Sequence, residues 1–579
     1  MTFKERYLKK PFALGTSEFT RIIDDSCYYC DKSLLVKDLL DSKTQVMLFT
    51  RPRRFGKTLN MTMLRTFFEK PIDGKDTRHY FKDLKIWQAG KEYQSEQGKR
   101  PVIYLTFKDV KPRTYSGAII KIGSLILDEI SRHEYLLNST KLNAIDKKKL
   151  NDIIDNDDNP DKLSGSIRML SAMLCRHYET QPIILIDEYD VPIQAGYESG
   201  FYDDIISFMR DFLSGAFKDN PSLYKGVLTG VSRVSKESIF SGLNNLEVNT
   251  IFDKTFSTYF GFTQQEIDEM FRFYGIEDKL KEAEDWYDGY IFGEEHIYNP
   301  WSIINYLYKG CVPADYWVNI TENGLAGDAI RNLNESDRQN LINLMSGDDT
   351  FANVSTNMVY ADLDGSIENA YGLLTQAGYL TAMDAVQKNR TYLCKLKIPN
   401  RELFSAYSEE VLNRILYKPV SKYADNILSA ILLGRAEDLQ KNLTDFLMET
   451  CSCLTLTEEK DYQNIMIGLL ASMKRAYDIT LEKETGHGRA DIIMQPRLDI
   501  REKKILPGII IELKHYSATE NEKENPEKIK AALEKQADEA IKQIEAKGYA
   551  AKMRSAGVHS VIKYGASFSG KYVVVKTAE

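Results

Sequence analysis

The chain is 579 residues long, carries 76 Lys+Arg against 84 Asp+Glu for a net charge of −8, and is 43% hydrophobic and 28% charged. That length predicts about three or four domains, and the composition is that of a soluble globular protein. The acidic balance excludes a wholly basic nucleic-acid binder but leaves room for a basic groove on one domain, and 16 Pro and 34 Gly exclude a low-complexity chain.

No apolar run reaches the roughly 18 residues of a membrane helix, and Met1-Thr-Phe-Lys-Glu-Arg6 has no apolar signal core. A cytoplasmic location, reduced thiols and no membrane partner are therefore expected. The seven Cys show no framework spacing, and the lone pair Cys27-x-x-Cys30 reads as two incidental thiols, not a zinc or redox site.

In chain order, Val46–Thr50 reads as a short buried strand. The basic turn Arg51-Pro-Arg-Arg-Phe-Gly-Lys-Thr58 follows, then helical spacing from Leu59 to Phe68. Val102–Phe107 is a second strand, and 117–180 read as helices broken by an acidic loop from Asp152 to Asp161. Ile183–Ile186 is a third strand, ending in Asp187-Glu188. Residues 201–217 are helical, and Gly226–Thr229 is a fourth strand leading into Gly230-Val-Ser-Arg233. Continuous apolar strands alternating with helices predict a buried parallel sheet with helices on both faces, over 1–260.

Helical patterns dominate 261–440, read as small helical or winged-helix units. Their landmarks are Trp286-Tyr-Asp-Gly-Tyr290, Tyr298-Asn-Pro-Trp301 and Tyr371-Gly-Leu-Leu374. Over 441–579, a helix is expected from about 445 to Tyr477. Strands follow near 478–483, 489–494 and 508–513, then a charged helix over 526–547 and strands near 557–563 and 571–576.

Strand, turn, Gly56-Lys57-Thr58 and helix form the layout of a phosphate-binding loop. The helix N-terminus offers unpaired N–H groups and a positive dipole end, Lys57 would reach the β- and γ-phosphates, and the Thr58 hydroxyl would bind Mg²⁺. The pattern wants Gly where this chain has Arg51. Arg53 and Arg54 could lie along phosphates or pair with acids. At the ends of later strands, Asp187 would hold Mg²⁺ through water and Glu188 would polarise the attacking water. Thr229 could sense the γ-phosphate, and Arg233 could touch it from the same or a neighbouring subunit, which would make the protein a homo-oligomer.

A second constellation lies near the C-terminus. Asp491 opens a strand after Gly488-Arg489, and 21 positions later Glu512-Leu-Lys514 sits in another. Period-two alternation puts Glu512 and Lys514 on one face, with Ile509, Ile511 and Leu513 on the other. Two acids and a lysine on adjacent strands make an oxygen-rich site for Mg²⁺, with Mn²⁺ able to substitute. The metal would orient and acidify a water, and Lys514 would position that water or stabilise charge. Glu459 could add a carboxylate, as could Glu484; Gln536, Gln543 and Tyr549 follow on the charged helix. His487 and His515 read as solvated loop residues.

Tyr29-Cys-Asp-Lys-Ser33, the 49–58 loop, Ile186-Asp-Glu-Tyr-Asp190, Thr229-Gly-Val-Ser-Arg233 and the tryptophan motifs keep their order with Gly488-Arg-Ala-Asp491 and Ile510-Ile-Glu-Leu-Lys514. In this the chain resembles a family of bacterial proteins that join an AAA-ATPase-like P-loop domain to a PD-(D/E)XK nuclease domain. The resemblance covers nearly the whole chain. It implies a P-loop NTPase parallel sheet, a helical or winged-helix-like middle and a C-terminal PD-(D/E)XK α/β fold. It implies Asp491, Glu512 and Lys514 as the nuclease triad and Lys57, Thr58, Asp187 and Glu188 at the nucleotide; read from the residues themselves, Arg489 and Gln543 are expected to support the first site and Arg54 and Gly56 to belong to the second. In that family the Arg-Pro-Arg-Arg-Phe-Gly-Lys-Thr loop is the usual form. The helix before the nuclease sheet often reads Tyr-His there and is Tyr462-Gln463 here.

The expected function is an ATP-dependent or ATP-regulated hydrolase that cuts nucleic acid with Mg²⁺, DNA being favoured over RNA by analogy. Residues 501–579 carry 15 Lys+Arg against 11 Asp+Glu, which suits a DNA-facing domain. The alternatives are an ATPase switch whose nuclease-like domain binds nucleic acid or a partner without cutting, and an interaction scaffold.

Overall fold

The Val46–Thr50 and Ile183–Asp187 segments are four apolar residues closed by Thr50 and Asp187, buried along their whole length, and both lie inside a sheet. The structure is a computed structural model. It describes residues 9–578 except 73, 235–238, 241–244, 318–323, 348–349, 359–365, 390, 417–420, 451–455, 457, 472, 474–475, 484–489, 498–505, 520–521 and 523–524. The first sheet has five strands in the order Val102–Thr106, Ile183–Asp187, Lys225–Gly230, Val46–Thr50, Leu246–Asn249, all parallel. Strand Lys225–Gly230 is thus inserted between the strand that feeds the basic turn and the strand that ends in Asp187. Parallel direction brings Thr50, Asp187 and Thr229 to one edge, where ligands of open α/β sheets bind. Amphipathic helices cover the sheet; Tyr115–Arg132, capped by Thr114, buries Ala118, Ile119, Ile122, Ile126 and Ile130 at helical spacing.

The middle region holds more strand than its sequence suggested. Tyr290–Phe292, Glu295–Tyr298 and Phe262–Thr263 form a small antiparallel sheet. Around it Phe271, Tyr274, Trp286, Tyr287, Tyr298 and Tyr306 build a separate aromatic core. Thr350–Ser355, Thr391–Lys397 and Thr381–Lys388 form another antiparallel sheet, with helix Ile367–Ala377 packed against its Thr350–Ser355 strand. Gly372 of the Tyr371-Gly-Leu-Leu374 landmark is small because a Cβ there would lie 2.1 Å from the Ser355 carbonyl oxygen. Short strands carrying polar residues on one face escape an apolar-run reading.

The C-terminal sheet runs Tyr477–Lys483, Ala490–Pro496, Gly508–His515, Val561–Ser569, Tyr572–Ala578, with only the Gly508–Val561 pairing parallel. Two expectations are corrected. The helix expected from 445 to Tyr477 is two helices, Ala436–Thr450 and Glu459–Leu469, the second starting from a capping box of Glu458 and Asp461. The strand expected from 557 starts at Val561, because an extra helical turn, Tyr549–Ser555, precedes it and Gly557 turns the chain at φ +87°. Helices Ser421–Leu432 and Ala436–Thr450 also belong with this sheet in packing: the Tyr564 hydroxyl donates to the Ile431 carbonyl at 2.9 Å, and the Val575 N–H donates to Gln440. Among the described residues no helix is long and apolar enough to cross a membrane.

Candidate functional site

Helix Lys57–Phe68 begins at Gly56, whose φ of +81° is open to glycine at no steric cost. The Lys57 ammonium is buried and donates to the carbonyls of Arg51 (3.0 Å) and Pro52 (2.9 Å). Burial pushes it below its ordinary pKa, against the pull of Glu188, Asp187 and Asp190. The Thr58 hydroxyl donates to Asp187 Oδ2 at 2.7 Å. The Thr229 hydroxyl donates to the other oxygen, Oδ1, and receives the Glu188 N–H at 3.3 Å. Thr106 also reaches Asp187. Glu188, at φ +52°, has its carboxyl raised by burial while Lys57 opposes the shift. Lys57, Thr58, Asp187, Glu188 and Thr229, drawn from three strand ends, therefore meet at one point. The Thr58 and Asp187 oxygens are hard donors that could share a divalent cation.

Two neighbours that the sequence reading left without a role organise this point. Asp190 is buried and accepts the N–H groups of Val231 (2.8 Å) and Ser232 (3.0 Å), and the Tyr189 hydroxyl donates to the Ser232 carbonyl. Together they clamp the loop after Thr229. Gly230 is required because a Cβ would lie 2.8 Å from the Tyr189 ring and 2.9 Å from Asp190. The D-E-Y-D spacing was the available signal: both clamp residues immediately follow the acidic strand end. Arg233 opens the short strand Arg233–Val234, which pairs with Asn357–Met358.

The basic turn is held from outside at every position. Arg51 is fully buried; its guanidinium donates to the carbonyls of Thr50, Asn249 and Phe256 and lies over the rings of Phe260 and Phe292, and burial lowers it to about 10. Pro52 touches Gly378, where an added Cβ would come within 3.2 Å of it. The Arg53 carbonyl receives the Asn299 side-chain amide at 3.5 Å, and its guanidinium donates to Gln194. Arg54, at φ +70°, donates to the carbonyls of Tyr316 and Trp317 and lies 4.8 Å from the Trp301 ring centre. Phe55 packs edge-on to Tyr290, with Phe292 beside it. The tryptophan motifs thereby acquire a place. Asn299 caps helix Pro300–Tyr308 and Trp301 anchors Arg54. Trp286 sits under Arg497, the residue after strand Ala490–Pro496, and Tyr290 donates to the Gly378 carbonyl. Lys32 of the Tyr29–Ser33 motif is an ion-paired brace, 2.6 Å from Glu266 in the capping box of helix Gln264–Tyr274.

At the other end of the chain, Gly508–His515 is a central strand covered on both faces. Ile509, Ile511 and Leu513 enter the main core, while Ile510 packs under helix Pro526–Lys547. Glu512 lies on the helix-covered face and is 0% exposed. Lys514 Nζ donates to Glu512 Oε1 at 3.0 Å, and Oε2 is buried without a hydrogen-bond partner. Asp491 sits opposite Glu512 in the antiparallel ladder. A buried, half-satisfied carboxylate beside a second acid position fits a bound divalent cation. Among residues whose side chains are described, no group of three or more metal-ligating side chains forms.

Gln543 is on the covering helix, its Nε2 buried without an acceptor, and Gln536 donates to the His515 carbonyl at 3.5 Å. Lys547 Nζ stands 3.7 Å from Glu512 Oε2 and was missed by the sequence reading. Glu459 starts helix Glu459–Leu469, and Tyr462 one turn on stacks on His515 and Phe568. Burial lowers His515, while Asp461 and Glu458 pull it upward, so it is a packed residue rather than a solvated one. Arg489, Glu484 and His487 lie outside the described residues. Cys27 and Cys30 are free thiols.

Residues 13–240 match the family described as predicted AAA-ATPase, and residues 457–578 match the PD-(D/E)XK nuclease superfamily. The chain joins an AAA-ATPase-like domain to a PD-(D/E)XK nuclease-superfamily domain. It is also 25% identical over 503 residues to an uncharacterized protein in the vnfD 5′ region of Azotobacter chroococcum mcd 1, covering 84% of this chain and 87% of that one. Asp187, Glu188 and the loop after Thr229 fall within the ATPase-like match, and Asp491, Glu512 and Lys514 fall within the nuclease-superfamily match.

Proposed function

We propose that this protein is an ATP-binding, ATP-regulated, Mg²⁺-dependent DNA nuclease, a cytoplasmic hydrolase. In the ATPase-like domain, Gly56 and the first amides of its helix cradle phosphate. Lys57 leaves the loop carbonyls for the β- and γ-phosphates, and Thr58 and Asp187 hold the metal. Glu188 orients water, and Thr229 and Arg233 read the γ-phosphate, Arg233 from a neighbouring subunit if the protein assembles as a homo-oligomer. In the C-terminal domain Asp491 and Glu512 hold Mg²⁺ or Mn²⁺, with Glu459 as a further carboxylate. Lys514 orients the attacking water, and Arg489 and Gln543 support the site. Bound there, the metal would supply Lewis acidity to that water and to the phosphodiester.

The observation that carries regulation is the continuity between the two sites. Arg54 rests on Trp301 and the Tyr316 and Trp317 carbonyls. The Trp317 N–H donates to Glu402, in the first turn of helix Arg401–Leu416. Ser405 of that helix donates to the Ala471 carbonyl, and Leu412 packs on Gly468. The helix ending there, Glu459–Leu469, carries Tyr462 against His515, next to Lys514. Phosphate drawing Arg54 off Trp301 would release the first link of this chain.

The test is cleavage of supercoiled and linear DNA, and of RNA, by the full chain with Mg²⁺ or Mn²⁺, with and without ATP. Cutting should disappear in Asp491→Ala, and its ATP response should disappear in Lys57→Ala. Cutting that survives Asp491→Ala overturns the site. Nucleotide binding and DNA retention without cutting would replace the nuclease by an ATPase switch.

A further inference from the structure

We propose that the edge of the first sheet opposite the nucleotide site is a nucleic-acid-binding surface, where Lys70, Lys99 and Lys141 hold the phosphate backbone of the substrate. The inference deepens the reading of nucleic acid as substrate and rests on it.

Three segments meet at this edge. Helix Lys57–Phe68 starts at the nucleotide site and, at 1.5 Å per residue, ends roughly 18 Å away. Its exit runs beside the residues that enter strand Val102–Thr106. The Gly98 N–H donates to the Phe67 carbonyl (2.8 Å), the Arg100 N–H to the Phe68 carbonyl (3.0 Å) and the Lys70 N–H to the Arg100 carbonyl (2.8 Å). Lys70 and Lys99 are thereby fixed on adjacent stretches of backbone. Helix Ser166–Tyr178 ends at the same edge, just before strand Ile183–Asp187. The Lys70 ammonium lies 4.7 Å from the centre of the Tyr178 ring, and the His177 ring packs edge-on to that ring. His177 Nδ1 and the Ser139 hydroxyl share a hydrogen bond of 2.8 Å, and the same hydroxyl accepts the Lys141 N–H at 3.2 Å. Lys141 is thus tied to the ring pair that carries Lys70.

The charges gathered here have one sign. Burial holds Lys70 below its ordinary pKa, and the ammonium groups of Lys99 and Lys141 push it the same way. His177 is lowered by burial and then by Lys141 and Lys70. Among the described residues, the Lys70 and Lys99 ammonium groups form no ion pair. Lys141 is 2.9 Å from Glu179, whose side chain is 76% exposed, a pair weak enough for phosphate to displace. Arg100 is engaged elsewhere, with Glu96 and over the Tyr224 ring. Helix C-termini attract cations, which suits Lys70 and His177. Lys99 and Lys141 lie between elements, past helix Lys91–Glu96 and ahead of helix Ala144–Ile154, and so owe their place to no helix end of their own. A chain of net charge −8 that holds these ammonium groups together against their repulsion offers a polyanion a place to bind. A phosphate backbone would meet all three at once and release its counterions. The nuclease-superfamily match in the same chain favours nucleic acid over an acidic protein.

The test compares full-length wild type with Lys70→Gln/Lys99→Gln, Lys70→Arg/Lys99→Arg, Lys141→Gln and the control Lys121→Gln. Lys121 lies in the first half of helix Tyr115–Arg132 and donates to the Asp109 carbonyl, beyond the other end of strand Val102–Thr106. Three quantities are measured: the salt dependence of binding to single-stranded and duplex oligonucleotides with Ca²⁺ in place of Mg²⁺, ATP affinity by calorimetry, and melting temperature. The double glutamine variant should lower the salt slope by about two, and Lys141→Gln by about one. The double arginine variant should keep the slope, and Lys121→Gln should match wild type. ATP affinity should be unchanged throughout, because the nucleotide site is at the far end of the helix. A wild-type slope in the double glutamine variant overturns the proposal, as does a lowered melting temperature with an unchanged slope, which would make these lysines structural. Polyglutamate binding that needs these lysines, with an unchanged DNA slope, would give the surface to an acidic protein and overturn it too. If wild type binds DNA but cuts no substrate, the nuclease reading fails by itself and the slope still decides. If every variant cuts and binds as wild type does, the surface fails and the nuclease reading stands.

Discussion

At Arg51 a guanidinium replaces the glycine that opens an ordinary phosphate loop, and its surroundings explain why this is tolerated. The side chain satisfies three backbone carbonyls and lies against two phenylalanine rings, so its charge and bulk are accommodated within the protein. A residue-scale consequence concerns Glu402. Burial raises its carboxyl to about 8, with Asp315 adding to the shift and the Ser302 hydroxyl and Trp317 N–H opposing it. Its ordinary value is 4.5. Between about 4.5 and about 8 the unfolded chain therefore releases a proton that the folded chain keeps, and stability falls as pH rises through that window. In Glu402→Gln the amide oxygen can still accept the Trp317 N–H while the NH₂ donates to the Ser302 hydroxyl, and the titration is gone. Its melting temperature should exceed that of wild type by a few degrees, about 2–4 °C, at pH 8 and converge with it near pH 5. A gap of equal size at both pH values would show that Glu402 does not titrate in this window.

At the scale of elements, the Trp286–Tyr290 turn is a seam between the small antiparallel sheet of the middle region and the segment that opens helix Arg401–Leu416. Gly289 has φ +131°, and a Cβ there would lie 1.9 Å from the Pro399 carbonyl oxygen. The Asn400 side chain donates to the Tyr287 carbonyl across the same seam. Gly289→Ala should cost more than about 2 kcal/mol, from strain at positive φ together with a backbone clash. Thermal denaturation checks this, and an unchanged melting temperature would mean the seam yields freely. Elements were most legible where one signal sufficed. Val46–Thr50 and Ile183–Asp187 announce themselves as apolar runs, whereas Thr350–Ser355 alternates weakly and depends on its neighbours.

Across the whole molecule, the contact between Arg54 and Trp301 is the point at which nucleotide state would leave the ATPase-like domain. Trp301→Ala removes the ring that holds the guanidinium and the N–H that donates to the Tyr316 carbonyl. ATP affinity should stay within about twofold, since Lys57, Thr58 and Asp187 are untouched, while any effect of ATP on DNA cleavage should vanish. Titration calorimetry and a cleavage assay with and without ATP measure the two quantities. An ATP response of wild-type size would place the coupling elsewhere.

The sequence by itself determined the chemistry available at each end of the chain. The Gly-Lys-Thr turn after an apolar strand, the Asp-Glu pair at a strand end and the Asp…Glu-x-Lys spacing are local patterns, each tied to backbone geometry by period or by helix start, and such patterns survive without tertiary knowledge. Tertiary structure decided how these groups are satisfied. Strand order put Thr229 beside Asp187. Packing of the middle region turned Arg54 onto Trp301. Helix Pro526–Lys547 buried Glu512 and delivered Lys547 to it from 35 positions further along the chain. Contacts between residues so far apart in sequence follow from which faces are apolar enough to pack together, and no local spacing records that outcome.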